Sequence, residues 1–402
     1  MRTTTDSFLS EDQAAARDLA RHFATESVAP RAAQIDRDDA FPHDLYAEMA
    51  QLGLLGLTVP EEYGGTGADE VSMCLAMEEV ARVSGTVANA LLLAKLQGEF
   101  IVRVGTDRQR REFVPDIAAG KRICLIAVTE PGAGTDVASI ATRAERRGAG
   151  WLLNGTKAFM TAGAVGDVAV VLARTSREPG HHSLTTFLVE KSIDGDPSKG
   201  FVVGHKDELM GMRGLGTAGI VLEDTFVLDS AVLGQPGEGF ANVLRSFDNG
   251  RIVIACLALG LATGALLASI SYAHERQAFG QTIENFQAVQ LLIADMVVET
   301  EAARLLIHQA ARLKDAGLTF SAAASTAKLF ASDVAVRAAS SAVQIHGGFG
   351  YTKEAAVERI YRDAKLTQIY EGTNQIQRVI IARDVLRGQQ QPNRGVRAAS
   401  AN

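Results

Sequence analysis

One carboxylate late in the chain stands in unusual company. Tyr370-Glu371-Gly372 is led in by Leu366 and Ile369, and followed by a helix start at Thr373-Asn374-Gln375. A Glu-Gly pair is ordinarily a solvated turn. Held among apolar and aromatic groups, a carboxylate loses hydration and its pKa rises into the range useful to a general base. Two glycine-rich segments could bring a ligand close. Thr129-Glu130-Pro131-Gly132-Ala133-Gly134-Thr135-Asp136 follows the apolar run Ile123–Val128. Its glycines would let the backbone approach a ligand and expose N–H groups, although such a loop taken alone is more often a plain hairpin loop. His346-Gly347-Gly348-Phe349-Gly350-Tyr351 closes an Ala-rich segment, where paired glycines also serve as a plain helix C-cap.

These residues must be positioned by three regions. From Ser10 to about Lys121 the spacing is helical, with a capped start at Ser10 and breaks at Pro30, Phe41-Pro42 and Glu62–Gly67. Leu45–Leu57 and Val71–Val83 carry the helical period most clearly. From Arg122 the texture changes to short apolar runs, Ile123–Val128, Trp151–Leu153, Val168–Ala173, Leu184–Val189 and Ile220–Leu222. Asn154-Gly155 reads as a hairpin turn among them. From Gly239 helices return. Phe286, Val289, Ile293, Met296, Ala303, Leu306, Ala310 and Leu313 form one stripe, with Arg304 among the charges placed off it. Ala322–Ala342 is rich enough in small residues to demand close helix packing. The fold expected is α+β multidomain: helical domain 1–121, small β domain 122–233, helical domain 234–388, and a tail, 389–402, too polar to order itself.

Composition narrows the function. The 402 residues, 47% apolar and 22% charged, suit a soluble globular protein of two or three domains. A formal net charge of −7 offers no footprint for nucleic acid or an anionic membrane. Cys74, Cys124 and Cys256 lie far apart in apolar runs, which argues for a reducing compartment and against a disulfide framework or metal cage. Met1–Glu11 has no apolar core, so no secretory signal and a cytoplasmic location are expected. Ile252–Ile270 reads as a buried bundle helix rather than a membrane span.

Five motifs in order then resemble the acyl-CoA dehydrogenases, from about Phe8 to Arg387. They are Glu61-Glu62-Tyr63-Gly64-Gly65, the Val128–Asp136 loop, Arg276-Gln277-Ala278-Phe279-Gly280, Gln344–Tyr351 and Ile369–Arg378. The resemblance implies an N-terminal helical domain, a middle β-barrel and a C-terminal four-helix bundle, with non-covalent FAD. Ile126, Val128, Thr129, Gly134 and Thr135 match the segment that embraces the flavin and pyrophosphate. Phe159-Met160-Thr161 matches the family's Trp-Ile-Thr against the ring, with Phe in place of Trp. Arg276, Phe279, Phe286, Gln287, Gln344, Gly347 and Gly348 resemble residues that hold a neighbouring subunit's dinucleotide. Thr373, Asn374 and Gln375 resemble a further dinucleotide contact at a helix N-terminus. Thr135, Asp248, Arg251 and Gly372 match substrate contacts.

By the same resemblance Glu371 removes the α-proton of an acyl thioester, and the β-hydrogen leaves as hydride to flavin N5, giving a trans-2-enoyl thioester. Some members carry the base immediately before an arginine. That place here is Gly250, before Arg251, so Glu371 is the base expected. Lys95 and Glu99, four apart on one helix, read either as a solvated or mutually paired ion pair or as groups lining the acyl pocket. The partners implied are acyl-CoA or an acyl carrier protein, an electron-transfer flavoprotein and a homotetramer. No second dinucleotide fingerprint is present. An oxygen-using flavin oxidase or monooxygenase of similar fold is the alternative that an intact Glu371 counts against.

Overall fold

The computed structural model describes residues 8–388 apart from 177, 179 and 194. The tail expected to be disordered, 389–402, and the first residues of the segment read against a signal peptide lie outside them.

Six helices come first: α1 Glu11–Phe23, α2 Ala32–Asp38, α3 His43–Gln51, α4 Glu70–Ala81, α5 Gly85–Val104 and α6 Asp107–Ala118. Their starts follow side-chain capping. Ser10 Oγ accepts from Gln13 N (3.2 Å) while Gln13 Oε1 accepts from Ser10 N (3.1 Å), and Asp69, Ser84 and Thr106 cap α4, α5 and α6. The helical run expected over Leu45–Leu57 ends early, at Gln51. Gly53 takes φ 75°, a left-handed turn that a continuing helix cannot contain.

The middle region is β1 Cys124–Ala127, β2 Arg143–Arg147, β3 Gly150–Met160, β4 Val168–Arg174, β5 Leu184–Glu190, β6 Ser192–Ile193, β7 Asp196–Pro197, β8 Phe201–Lys206, β9 Ala218–Leu228 and β10 Val232–Leu233. Eight of these make one sheet in the order β10-β5-β4-β2-β3-β9-β8, with β1 parallel to β4. A single bridge, Arg143 to Arg174, joins β2 to β4, so two half-walls enclose a core of Leu125, Leu153, Met160, Phe187 and Ile220 among others. Asn154-Gly155 is not a hairpin turn but lies inside β3, at a register shift against β9. A Cβ on Gly155 would stand 2.3 Å from Thr142 Oγ1, so the glycine permits a close crossing.

Helices then resume: α7 Gly239–Glu275, the hairpin β11 Gln277–Ala278 with β12 Gln281–Thr282, α8 Gln287–Asp315, α9 Ser321–His346, α10 Ala356–Leu366 and α11 Asn374–Gly388. Ala324, Ala327, Ala331, Ala335, Ala338 and Ala342 are all buried on α9, as its small residues require. On α7, Gly264 lies so close to α4 that a Cβ would be 2.2 Å from the Arg82 carbonyl. Arg304 is not off the buried stripe of α8. It is buried, because Glu78 of α4 accepts from its guanidinium at 2.6 and 3.2 Å. Among the described residues α7 alone is long and apolar enough to cross a membrane, and 83% of its apolar window is buried inside the protein.

Candidate active site

Between α10 and α11 the backbone turns sharply: Glu371 has φ 51° and Gly372 φ 90°. The left-handed region costs a non-glycine residue about 1–3 kcal/mol, so neighbouring contacts must hold it. Lys328 of α9, with no exposed surface, donates to the Gly372 carbonyl (2.9 Å) and to Asn374 Oδ1 (3.0 Å). Gln377 Nε2 donates to the same carbonyl at 2.8 Å. Asn374 Nδ2 donates to Ser332 Oγ (2.9 Å) and Asp333 Oδ1 (2.8 Å), and its N–H to the Gln368 carbonyl (3.0 Å).

The Glu371 residue is half-buried, but its Oε2 is fully buried with no hydrogen-bond partner. Gly250 of α7 lies beneath it: a Cβ there would be 2.8 Å from that oxygen and 3.5 Å from Leu96 Cδ1. Gly250 and Glu371, the two positions at which the sequence resemblance allows a base, therefore meet at one spot. Arg251, buried, pairs with Asp248, which also accepts from Ser321 Oγ at 2.8 Å. Burial pushes the Glu371 carboxyl up to about 7, against the pull of Arg251 and Lys328 toward the ionised form. Burial likewise brings Lys328 down to about 7, with Glu371 and Asp333 opposing and Arg251 adding to the fall.

A second cluster lies at the end of β1. Glu130 and Ala133 bridge each other through both backbone pairs (2.9 and 3.1 Å), and the Thr129 carbonyl accepts from Ala158 N at 2.9 Å. Beneath the loop, fully buried Lys157 donates to Glu130 Oε1 (2.8 Å) and the Val128 carbonyl (3.1 Å). Burial lowers Lys157 to about 8, with Glu130 opposing. Ile126 and Thr129 are half-buried, and Gly134 and Thr135 are exposed on the lip. Phe159, at φ 58°, turns outward and is 65% exposed, with Thr161 half-buried beside it.

The third cluster joins the C-terminus of α7 to the end of α9. Tyr272 stacks on His346 (4.2 Å between rings), and Phe279 meets Phe286 edge-on at 6.0 Å. Phe279 is 96% exposed, and Arg276, Gln287, Gln344, Gly347 and Gly348 are exposed as well. Among the described residues no hydrogen bond, ion pair or ring contact joins this cluster to the Thr129–Thr161 one within a single chain.

Some expected contacts have other duties. Asn374 is buried, with its amide engaged by Ser332, Asp333 and Lys328, so its side chain does not face a dinucleotide. Met160 and Val128 point into the interior, because Met160 alternates with outward Phe159 and belongs to the sheet core. Only their backbone is left for a ligand. Arg251 faces Glu371 and Asp248 inside the protein. Lys95 and Glu99 pair with each other (2.6 Å) and, through Glu70 and Lys314, form a buried network rather than a solvated one. Sequence reasoning missed Lys328 and Lys157. The available signal was a lone lysine among small or apolar neighbours at helical or strand spacing.

The residues present fit a flavin dinucleotide. A Cβ at Gly132, Gly134, Gly347 or Gly348 would meet nothing within 4 Å, so both loops offer open backbone, and the outward aromatics supply ring surface. Open backbone and exposed rings suit a bound flavin, and an under-bonded carboxylate suits proton abstraction. The chain belongs to the acyl-CoA dehydrogenase family: the family's N-terminal, middle and C-terminal domain profiles match residues 10–121, 125–225 and 237–386. It is an FAD-dependent oxidoreductase of acyl thioesters. An acyl-CoA dehydrogenase of Bacillus subtilis is 41% identical over 381 residues, covering 94% of this chain and 99% of the relative. Butyryl-CoA dehydrogenase from Megasphaera elsdenii superposes with a TM-score of 0.91 at 36% identity, covering 96% and 100% of the two chains. A chain in a structure described as an electron transferring flavoprotein of Acidaminococcus fermentans gives 0.92 at 41% identity, covering 94% and 99%. The prolyl acyl carrier protein oxidase AnaB gives 0.89 at 29% identity, with 94% and 99% covered.

Proposed function

We propose that this chain converts an acyl-CoA to the trans-2-enoyl thioester, with Glu371 as the base that takes the α-proton. The observation that carries the reading is the Glu371 Oε2, buried, without a hydrogen-bond partner, and raised to about 7. A carboxylate already satisfied by donors is a weak base, whereas this one gains most by accepting a proton. The Glu371 amide N–H has no protein partner among the described residues, so it is free to donate to the thioester oxygen and stabilise the enolate-like charge. The electron pair of the broken Cα–H bond becomes the new double bond, and Glu371 keeps the proton. FAD, when bound, accepts the β-hydrogen as hydride. The Thr129–Thr135 loop with Phe159 and Thr161 would hold the flavin, and Thr373 and Gln375 at the start of α11 the dinucleotide. Thr135, Gly372 and the Asp248–Arg251 pair would border the thioester.

The same reasoning supports the assembly. Phe279 and Tyr351 are almost fully exposed, as are Leu291, Val298 and Leu305 along α8 to a lesser degree, surfaces that a second copy would cover. A homotetramer would let Arg276, Phe279, Phe286, Gln287, Gln344, Gly347 and Gly348 complete a neighbour's FAD site. An electron-transfer flavoprotein as oxidant, a cytoplasmic location, and boundaries at 121 and 233 belong to the same proposal. Likeness to the carrier-protein oxidase favours one second reading, the same chemistry on an acyl-carrier thioester. Anaerobic mixing with matched acyl-CoA and acyl-carrier thioesters, followed by flavin bleaching, separates the handles. Peroxide released stoichiometrically in air would favour an oxidase. Glu371→Gln tests the base: a variant that bleaches at the wild-type rate overturns it.

A further inference from the structure

Lys328 is the one lysine on the buried face of α9. Its neighbours along that face are Ala324, Ser325, Ala327, Ala331 and Ser332, all buried. Isolated burial of an ammonium is expensive, and it persists only where hydrogen bonds and opposite charge compensate it. Here the compensation comes from the Glu371–Asn374 turn: the Gly372 carbonyl at 2.9 Å and Asn374 Oδ1 at 3.0 Å. Gly372 is bonded directly to the residue whose φ is 51°, so the ammonium grips the strained turn one peptide away from the carboxylate. Nothing hydrogen-bonds Glu371 Oε2 itself. Lys328 therefore acts on it through backbone geometry and through space.

We propose that Lys328 is the positioning residue of the base, clamping the Glu371–Asn374 turn so that the carboxylate stands over Gly250, and supplying a cation that keeps it ionised without bonding to it. This rests on Glu371 being the base. A direct hydrogen bond would quench the lone pair needed for proton abstraction, whereas a charge held one peptide away favours the anion and leaves the oxygen free. The charged and titratable groups facing the pair are Arg251 of α7, with Asp248 behind it, Asp333 of α9, and the Tyr370 phenol. Arg251 is already matched to Asp248. The ammonium of Lys328 is balanced by Glu371 and Asp333, and burial draws Lys328 and Glu371 to about 7 from opposite sides, so the two titrate as a coupled pair. Removing the lysine charge must raise the pH at which Glu371 ionises.

The test uses FAD-loaded protein with an acyl-CoA that the wild type bleaches, and follows the anaerobic flavin reduction rate from pH 5.5 to 9.5. Lys328→Met, close in length, should shift the apparent pKa of reduction upward by about one unit or more. The plateau rate should fall by roughly 10–10²-fold, as expected for a misplaced base. FAD content and the dissociation constant of a non-reacting thioester should stay near wild type. Lys328→Arg, which keeps the charge, should return the pKa toward the wild-type value. A Lys328→Met profile that superimposes on the wild type after scaling overturns the proposal, because a merely structural role lowers the rate without moving the pKa. Should Lys328→Met not accumulate folded, Lys328→Gln, which keeps a donor for the Gly372 carbonyl, is read by the same two outcomes. Glu371→Gln in parallel separates the failures. If it bleaches normally, the base assignment falls. If it is inactive while the lysine profile is unmoved, only the role of Lys328 falls.

Discussion

Two buried charge clusters border adjacent residues of α7, and they treat their carboxylates in opposite ways. Around Lys95 every charge is matched: its ammonium meets Glu70 (2.9 Å) and Glu99 (2.6 Å), and Lys314 meets the same two at 2.6 and 3.1 Å. Burial alone would raise Glu99, but Lys95, Lys314 and a hydrogen bond from Thr58 hold it down at about 2. Around Glu371 the cations Arg251 and Lys328 act through space yet neither bonds the carboxylate, and burial prevails, pushing it to about 7. Asn249 reaches toward Glu99 at 3.5 Å, while its neighbour Gly250 underlies Glu371. One helix residue thus separates a locked ion network from the proposed base. The difference is whether a cation hydrogen-bonds the carboxylate, rather than depth.

The comparison can be broken most severely at the base. Glu371→Gln keeps shape and loses basicity, so flavin reduction should fall toward the upper end of the roughly 10²–10⁴-fold range of general-base catalysis. FAD absorbance and thermal stability should be retained. On the other side, Lys95→Met leaves Glu70 and Glu99 without their central cation. That should destabilise the fold by about 3–5 kcal/mol in urea unfolding, the usual result of breaking a buried pair, while the apparent pKa of flavin reduction stays where it was.

Gly250→Ala touches the seam between the clusters. The nearest atoms to the added methyl are the side-chain ends of Glu371 and Leu96 rather than backbone, so stability should change little. The carboxylate would be displaced, and flavin reduction should slow by roughly 10–10²-fold. Rapid-mixing rates beside thermal melts would check both halves of that expectation. The gentlest probe is pH. Glu371 must be ionised to accept a proton and its folded pKa is raised to about 7. The reduction rate of the wild type should therefore rise about tenfold from pH 6 to pH 8 and then level. A rate independent of pH over that window would mean that burial does not govern this carboxylate.

Much of this was legible in advance because it depends on local rules. Ser10 with Gln13 is a capping box in sequence and in space. The small residues of α9 announced close packing, and Gly347 ends that helix at φ 60° as paired glycines suggest. Local signals failed where a distant chain segment changed their meaning. Asn154-Gly155 has the composition of a turn, yet Thr142 presses against it and β9 pairs alongside, so it serves as an irregularity within a strand. Arg304 looked solvated until α4 brought Glu78 to it.

The sequence by itself determined the candidate base and its immediate surroundings: a glutamate among apolar neighbours, a glycine after it to permit the turn, and glycine rather than a carboxylate at position 250 on α7. These are covalent and short-range facts. Only the tertiary structure decided that the Glu371 oxygen is left without a donor while Glu99 receives several. It also decided that Asn374 and Met160 face inward, and that Lys328, forty-four residues from Gly372 in sequence, closes on its carbonyl. Ionisation of a buried carboxylate is set by which dipoles and charges surround it within a few ångströms. That surrounding is assembled from α5, α7, α9 and the α10–α11 turn, so no single stretch of the chain contains it.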